Sequence, residues 1–425
     1  MNVYEELTWR GLVHQVTSPE VAEILGKPGV RCYVGFDPSA SSLHVGNLLQ
    51  VMTLVRMQRA GHRPIALAGG ATGMIGDPSG KSEERNLLDR EQLAYNLESI
   101  QGQLARFLDF SPGATQAVMV NNHDWLGGVS FLDFLRDVGK RFSVNAMLEK
   151  ESVRARLEER EQGISYTEFS YMLLQAYDFL HLYETHECVL QMGGSDQWGN
   201  ITAGVDLIRR VHNGKAFGLT SPLLTTADGK KLGKTVRGAV YLDAAKTSPY
   251  QFYQYWIRMD DRDAPRMLRM LTTRTLEEIE AVEKTTAERP EQQAAQKMLS
   301  MELTSLVHGE QAALDAKRAS EALFGREIAE LDEATLLDVM SEAPSTEVSA
   351  TSFEGDGKAL VDLLVETSLS GSKGAARNDL KGGGIYVNNR RVGEVGAAVK
   401  AGDALHGKYV VLRKGKKNFH LVKVG

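Results

Sequence analysis

The sequence predicts an α/β protein: a doubly wound parallel sheet, followed by an α-helical domain and a small α+β domain. Apolar segments typical of buried strands recur in the first half, at residues 31–36, 64–69, 117–120 and 188–192. The segments between them are long enough for the crossover helices that parallel strands need. From residue 248 to about 330 the pattern is helical and charged, and strand patterns return after residue 351.

The domain boundaries follow from these changes of pattern. A chain of 425 residues is long enough for two or three domains, each with its own core. We expect an α/β domain over 1–220, a lysine-rich loop and connection over 221–247, a helical domain over 248–330, a linker over 331–350 and a basic domain over 351–425. The linker is predicted because hydrophobic periodicity is lost there.

Charge is distributed unevenly along the chain. The net charge is -6, but residues 351–425 hold 13 Lys and Arg against 7 Asp and Glu, so this region carries +6 and the remainder -12. A basic domain on an acidic body predicts that the C-terminal region meets a polyanion.

Cysteine usage and hydropathy exclude several classes of protein. Cys32 and Cys188 are the only cysteines, which is too few for a disulfide framework or a paired-cysteine zinc site. We therefore expect no structural metal and a reduced, cytoplasmic setting. The first residues lack the pattern of a signal peptide, and no apolar run approaches the roughly 20 residues of a membrane span, so no membrane association is expected.

The segment His44-Val45-Gly46-Asn47 follows the first predicted strand at the start of a helix. His44 and Asn47 are three positions apart and share one helix face. The free amides and positive dipole end of a helix start favour phosphate. About 190 positions later, Lys231-Leu232-Gly233-Lys234-Thr235 places two lysines in a Gly-rich stretch. Together the two segments can hold a triphosphate at both ends. Taken alone, the lysine stretch is more typical of a solvated surface loop.

Three polar positions lie on one face of the first predicted strand and its turn. Strand periodicity places Tyr33, Gly35 and Asp37 together, so a phenol, an open backbone position and a carboxylate can line a pocket. The alternative is a core tyrosine followed by an Asp-Pro turn.

A second polar stripe lies within a helix that is apolar on most sides. Tyr171, Gln175 and Asp178 are spaced i, i+4 and i+7. Buried polar groups need partners, and an unpaired buried carboxylate is costly. Either a neighbouring element or a polar ligand must satisfy these side chains.

Two glycine-rich segments follow other predicted strands. In the segment from Gln191 to Asn200 the glycines permit close approach of a ligand. Asp196 can then form a hydrogen bond with a ribose hydroxyl, and Gln197 with a carbonyl. The alternative is a plain strand–turn–helix in which Asp or Ser caps the helix. The segment 69–82 resembles a P-loop, but its glycine spacing is wrong. It places Asp77 at the mouth of the sheet, with Lys81 and Arg85 just beyond, where they can contact phosphates.

These segments together resemble the two signature motifs and the substrate pocket of bacterial-type tyrosyl-tRNA synthetases, over nearly the full length. The C-terminal region, with Gly371-Ser372-Lys373 and Gly383-Gly384-Ile385, resembles the S4-type RNA-binding module. The resemblance implies a Rossmann-like catalytic domain, an α-helical anticodon-side domain and an S4-like domain. The chain departs from the fullest motifs, because Asn47 replaces His and Leu232-Gly233-Lys234-Thr235 replaces Met-Ser-Lys-Ser.

The resemblance assigns roles to residues in this numbering. It implies that tyrosine is bound by Tyr33, Asp77, Tyr171, Gln175, Asp178, Gln191 and Gln197. It implies that ATP and the adenylate are bound by Gly35, Asp37, Ser39, His44, Asn47, Gly194, Asp196 and Lys234. Catalysis would depend on His44, Asn47, Lys231, Lys234 and Thr235. Lys81, Arg85, Lys373 and Arg377 would contact tRNA.

The implied activity is that of a class I ligase. L-Tyrosine would be activated with ATP and Mg²⁺, and the tyrosyl group transferred to the 3′ end of tRNA(Tyr), by a homodimer. A tryptophanyl-tRNA synthetase is the nearest alternative, although it leaves Tyr33 with Asp178 unexplained. The second alternative is an RNA-binding regulator built on a synthetase scaffold. Loss of His44 or of the lysine loop would indicate such a regulator.

Overall fold

The computed structural model describes residues 1–79, 88–150, 153–154, 157, 164–235, 238–322, 326–415 and 418–425. The chain divides into two compact units. The first comprises residues 1–246 and 260–295, and the second comprises residues 247–259 and 296–425. Within the described ranges, no helix is both long and apolar enough to cross a lipid bilayer.

The first unit is built on a six-stranded sheet. Its strands are β1 (Gln15–Val16), β2 (Arg31–Phe36), β3 (Arg63–Ala68), β4 (Val118–Asn121), β5 (Leu190–Gly194) and β6 (Phe217–Ser221). Their order is β1-β6-β5-β2-β3-β4, and all neighbours are parallel except β1 and β6. This topology confirms the predicted doubly wound parallel sheet. A further short hairpin is formed by β7 (Lys234–Thr235) and β8 (Gly238–Ala239).

Helices pack around this sheet because their apolar faces need cover. They are α1 (Val3–Trp9), α2 (Glu20–Leu25), α3 (Val45–Arg59), α4 (Arg90–Leu104), α5 (His123–Leu126), α6 (Phe131–Asp137), α7 (Val144–Leu148), α8 (Tyr166–His186) and α9 (Trp198–His212). The same unit contains α11 (Ala264–Leu271) and α12 (Leu276–Glu288). The chain segments directly before and after this helix pair, 247–259 and 296–425, belong to the second unit.

Helix α8 is the long apolar helix of the sequence prediction. It begins at Ser165, whose side chain accepts a hydrogen bond from the Glu168 N–H, and it ends at Glu187 in the left-handed conformation. It packs along α9, and its inward face contributes Met172, Phe179 and Leu182 to the core under the sheet. The polar stripe of this helix is therefore carried into the interior.

The second unit combines helices with a five-stranded sheet. Its helices are α10 (Pro249–Ile257), α13 (Ala294–His308), α14 (Glu310–Ala322), α15 (Glu333–Val339), α16 (Leu360–Glu366) and α17 (Lys373–Lys381). The sheet, in the order β12-β11-β14-β15-β9, is formed by β9 (Ser345–Val348), β11 (Ile385–Val387), β12 (Arg390–Val392), β14 (Tyr409–Lys414) and β15 (Asn418–Val424). A separate two-stranded pair consists of β10 (Lys358–Ala359) and β13 (Ala398–Val399).

The segment 331–350, for which the sequence predicts a linker, is instead folded. It contains α15, which buries Leu336 and Val339, and β9, which pairs in parallel with β15. The strand was missed because Ser345-Thr346-Glu347 has no apolar alternation; its pairing is made by backbone groups, which leave no sequence pattern.

Candidate active site

A cavity of about 420 Å³ opens at the carboxyl ends of β2 and β5. Ligands of open parallel sheets bind at this edge. Of the predicted site residues, those that line the cavity are Tyr33, Gly35, Asp37, Ser39, His44, Asn47, Asp77, Tyr171, Gln175, Asp178, Gln191, Gly194, Asp196, Gln197 and Lys231. Residues from distant parts of the sequence are thus brought to one place.

The other predicted residues fall elsewhere. Lys81 and Arg85 lie outside the described residues, as do the side chains of Lys234 and Thr235. Lys373 and Arg377 belong to α17 of the second unit and do not line the cavity. Lys373 forms an exposed ion pair with Asp362, with 2.7 Å between nitrogen and oxygen.

Tyr33 lines the cavity and is almost fully buried. It stands in the middle of β2, opposite Ile65 of β3 and Gln191 of β5. The side chain is 1% exposed, and within the described part of the chain its hydroxyl has no hydrogen-bond partner. Burial raises the pKa of Tyr33 well above its usual range, and Asp178 raises it further. A buried, unpaired hydroxyl beside a carboxylate is the signature of a position that a polar ligand completes.

Asp178 is held by two donors that the sequence reasoning missed. The Asn122 amide donates to Oδ2 at 3.0 Å, and the Trp125 indole donates to Oδ1 at 2.8 Å. Burial nevertheless raises the pKa of this carboxyl to about 7, against the effect of both hydrogen bonds. Asn122 directly follows β4 and Trp125 lies four residues beyond it in α5, so a polar run after a parallel strand was the available signal.

A second acidic group, Asp37, lies at the end of β2. It accepts hydrogen bonds from the Tyr171 hydroxyl at 3.0 Å and the Thr72 hydroxyl at 2.8 Å. Burial raises the pKa of Tyr171 well above its usual range, with further contributions from Asp37 and Asp77. Tyr171 therefore remains protonated and donates its hydroxyl to the carboxylate.

Asp77 begins a chain of amide contacts across the cavity mouth. The Gln197 amide donates to Asp77 Oδ2 at 2.6 Å, while Gln197 Oε1 accepts from Gln175 at 3.3 Å and from Asn200 at 3.1 Å. Carboxylate and amide oxygens concentrated here suit a cationic group such as an ammonium.

The helix start and the lysine loop meet beside the cavity. His44 caps α3: its Nδ1 accepts from the Gly46 N–H at 3.0 Å, and its own N–H donates to Asn47 Oδ1 at 3.0 Å. The Val45 N–H donates to the Val240 carbonyl, and the Val240 N–H donates to the Gly233 carbonyl, both at 2.9 Å. The exposed Lys231 side chain borders the cavity there.

This arrangement defines a class of enzyme. A capped helix start follows the first central strand, a lysine-bearing loop rests on it, and acidic and amide groups line the same cavity. Such a site binds a polyphosphate beside an amino acid, as in a class I aminoacyl-tRNA synthetase. Within the described ranges, no group of three or more His, Cys, Asp or Glu side chains is placed to hold a metal ion.

The comparisons with known proteins identify the family. Residues 27–325 match the model of "tRNA synthetases class I (W and Y)", and residues 338–422 match the "Tyrosine--tRNA ligase SYY-like C-terminal domain". The chain belongs to the tyrosine--tRNA ligase family of these class I synthetases.

Curated relatives match over the whole chain. The tyrosine--tRNA ligase of Opitutus terrae is 54% identical, and that of Bacillus caldotenax 52%, each over 100% of both chains. The tyrosine--tRNA ligase of Roseiflexus castenholzii is 51% identical over 99% of each. These matches do not favour the tryptophanyl alternative.

Solved structures support the fold. A C-terminally truncated mitochondrial tyrosyl-tRNA synthetase from Aspergillus nidulans aligns with a TM-score of 0.69 and 30% identity, covering 76% of this chain and 94% of that one. The tryptophanyl-tRNA synthetase of Plasmodium falciparum aligns with a TM-score of 0.53 and 13% sequence identity, covering 79% of this chain and 87% of that one. This likeness shows a shared fold alone.

Proposed function

We propose that this chain activates L-tyrosine with ATP and then transfers the tyrosyl group to tRNA(Tyr). The observation that carries the proposal is the buried hydroxyl of Tyr33, which has no partner among the described residues and lines one cavity with Asp178. A substrate phenol satisfies both groups, donating to the carboxylate and accepting from the tyrosine. Phenylalanine leaves the Tyr33 hydroxyl without a partner and gives Asp178 no donor beyond Asn122 and Trp125, so it loses both of these interactions.

The remaining assignments follow the chemistry of the cavity. Asp77, Tyr171 and Gln175 hold the substrate ammonium, while Gln191 and Gln197 orient its backbone. Asp37, Gly194 and Asp196 contact the adenylate, mainly its ribose, and Gly35 leaves room for it because this position is open to the cavity. Ser39, His44 and Asn47 bind the phosphates or ribose of ATP. Lys231, Lys234 and Thr235 bind the departing pyrophosphate.

Activation needs no nucleophilic side chain. A carboxylate oxygen of tyrosine attacks the α-phosphorus of ATP, the bond to the bridging oxygen breaks, and pyrophosphate leaves with its electron pair. The enzyme supplies position and positive charge where charge develops. His44 must give up its capping contact with Gly46 if Nδ1 is to serve the nucleotide, whereas Nε2 can do so without this change.

Magnesium enters as part of the nucleotide substrate, bound to its phosphates. In the second step, a ribose hydroxyl at the 3′ end of tRNA attacks the tyrosyl carbonyl and AMP leaves. Arg377 and Lys373 of the basic region 351–425 contact the tRNA phosphates, as do Lys81 and Arg85 of the first unit.

The working form is a homodimer in the cytoplasm. Exposed large apolar side chains between residues 131 and 166 support a second copy as the partner; they are Phe131, Leu132, Val144, Leu148 and Tyr166. Three of these side chains, on Phe131, Leu132 and Tyr166, are more than 60% exposed in the single chain. Apolar groups concentrated in this way mark interaction surfaces. Sedimentation of the purified protein tests this assignment: a monomer at micromolar concentration would contradict it.

ATP–pyrophosphate exchange tests the activity. Tyrosine should drive the exchange, whereas tryptophan and phenylalanine at the same concentration should not. Exchange driven equally well by tryptophan, or no exchange with tyrosine, would overturn the proposal.

A further inference from the structure

A one-turn helix carries the tryptophan that contacts the acid of the phenol pocket. Helix α5 has only four residues and none of them is buried. Its Trp125 nevertheless donates its indole N–H to Asp178. Because a single helical turn is not stable by itself, the position of the indole depends on what packs against it.

The apolar core provides part of that packing, and the imidazole of His181 stacks on the indole in addition. Its ring lies against the Trp125 ring with 4.4 Å between centroids and 17° between planes, which is a stacked geometry. Asp178 and His181 are three apart on α8 and so share one helix face. The indole therefore contacts α8 twice, with its edge at Asp178 and with its face at His181.

We propose that His181 is a positioning residue for amino-acid selectivity: its stack on Trp125 fixes the indole N–H on Asp178 and so aligns that carboxylate for the substrate phenol. The inference rests on the proposed function, because it assumes that Asp178 receives the phenol. His181 itself does not touch the substrate and is not a catalytic residue.

The two oxygens of Asp178 are secured unequally. Oδ2 is bonded to Asn122, which is fixed by two further contacts: its amide donates to the Thr72 hydroxyl at 2.9 Å, and its oxygen accepts from the Ala71 N–H at 2.7 Å. Oδ1 is bonded to Trp125, whose own indole N–H makes no other bond in the described structure. Trp125 also packs against the hydrophobic core, and the stack with His181 is the aromatic contact that orients its ring on the Oδ1 side.

The protonation state of His181 is compatible with this role. Burial, followed by the neighbouring His186, lowers the pKa of His181, whereas Glu184 acts in the opposite direction. The ring is therefore neutral at pH 7 and stacks as an uncharged aromatic group. Aromatic pairs of this kind contribute beyond their buried area.

The test compares selectivity rather than activity alone. For each variant, kcat and KM for activation are measured with tyrosine and with phenylalanine. We expect His181→Ala to lower the tyrosine-to-phenylalanine ratio of kcat/KM by about three- to ten-fold, through a higher KM for tyrosine. His181→Phe, which keeps a stacking ring, should restore the ratio to within about two-fold. His186→Ala, on the same helix but without the stack, is the matched control and should leave the ratio unchanged.

A double-mutant cycle separates positioning from general packing. Trp125→Phe removes the donor, so adding His181→Ala to it should produce no further loss of selectivity. If His181→Ala does not fold, His181→Gln takes its place in the cycle with the same expectation. Equal selectivity losses in His181→Phe and His181→Ala, or additive losses in the cycle, would overturn the inference.

The failure of this inference differs from the failure of the proposed function. If Tyr33→Phe lowers the ratio and His181→Ala does not, His181 has no positioning role but the phenol pocket stands. If Tyr33→Phe also leaves the ratio unchanged, the phenol pocket itself is wrong.

Discussion

Gly233 of the lysine loop lies directly against Gly46 at the start of α3. A Cβ built on Gly233 would lie 3.3 Å from the Gly46 nitrogen and 3.3 Å from the Val45 Cβ. Gly233 has a φ of +83°, in the left-handed region that favours glycine. Two segments far apart in the sequence are thereby held backbone against backbone beside the cavity.

This contact predicts the effect of adding one methyl group. Gly233→Ala should slow tyrosine activation by about ten- to one-hundred-fold, because it displaces the loop from the helix start. Tyrosine affinity should stay within about two-fold, since the neighbours of the added Cβ are Gly46 and Val45 at the helix start. Gly229→Ala is the matched control. Gly229 also has a positive φ, +78°, but nothing lies within 4 Å of the added Cβ, so this variant has the same backbone strain without a contact to the helix start. Equal effects of both variants on activation would refute the role of the contact.

The positive charge of Lys234 should stabilise the transition state of adenylate formation. We expect Lys234→Ala to lower the rate of adenylate formation by about one-hundred-fold, because it removes a cation from the departing pyrophosphate. Tyrosine binding, measured by calorimetry, should hardly change. Lys230→Ala provides an exposed control in the same loop. Weak tyrosine binding with a normal activation rate would contradict this assignment.

Tyr33→Phe should separate selectivity from stability. The variant loses a hydroxyl that has no partner within the described residues, so the free protein should be at least as stable as the parent in urea unfolding. With the substrate present, the phenol loses a partner, and the tyrosine-to-phenylalanine ratio of kcat/KM should fall by about ten-fold or more. A destabilised variant with unchanged selectivity would mean that Tyr33 is only a core residue.

Asp178 predicts a pH dependence of unfolding. Its pKa is about 7 in the folded chain against 3.8 as the ordinary value. The folded state therefore holds a proton that the unfolded state has lost, and stability from this group falls as pH rises from about 4 to about 7. Asp178→Asn should abolish this contribution, so its stability relative to the parent should increase between pH 5 and pH 8 in urea titrations. A difference that is constant over this range would show that Asp178 has an ordinary pKa.

The second unit, whose residues 351–425 are basic, is better tested by substitution than by truncation. Val411 and Leu421 of its sheet pack in one core with Tyr250 and Ala316 of its helices, so deletion of 351–425 would expose that core. Arg377→Gln should weaken tRNA binding and reduce the dependence of log K on log salt by about one unit, while adenylate formation stays unchanged. Lys246→Gln, in the first unit, is a charge-matched control. An unchanged salt dependence would exclude Arg377 from the tRNA contact.

The sequence predicted those parts of the molecule that leave a periodic pattern. Alternation in β2 places Tyr33 and Asp37 beside the cavity, and the i, i+7 spacing in α8 brings Asp178 to the same place. The predicted parallel sheet is confirmed. Asn122 and Trp125 were missed because they lie in a short turn and a one-turn helix, where position is set by tertiary contacts that no local period records.

A crystal structure of the protein with bound tyrosine tests the central claim most directly. We expect the substrate phenol oxygen to lie within hydrogen-bond distance of both the Tyr33 hydroxyl and the Asp178 carboxylate, with the substrate ammonium beside Asp77. A tyrosine bound with its phenol turned away from these two groups, or no tyrosine in the cavity at saturating concentration, would contradict it.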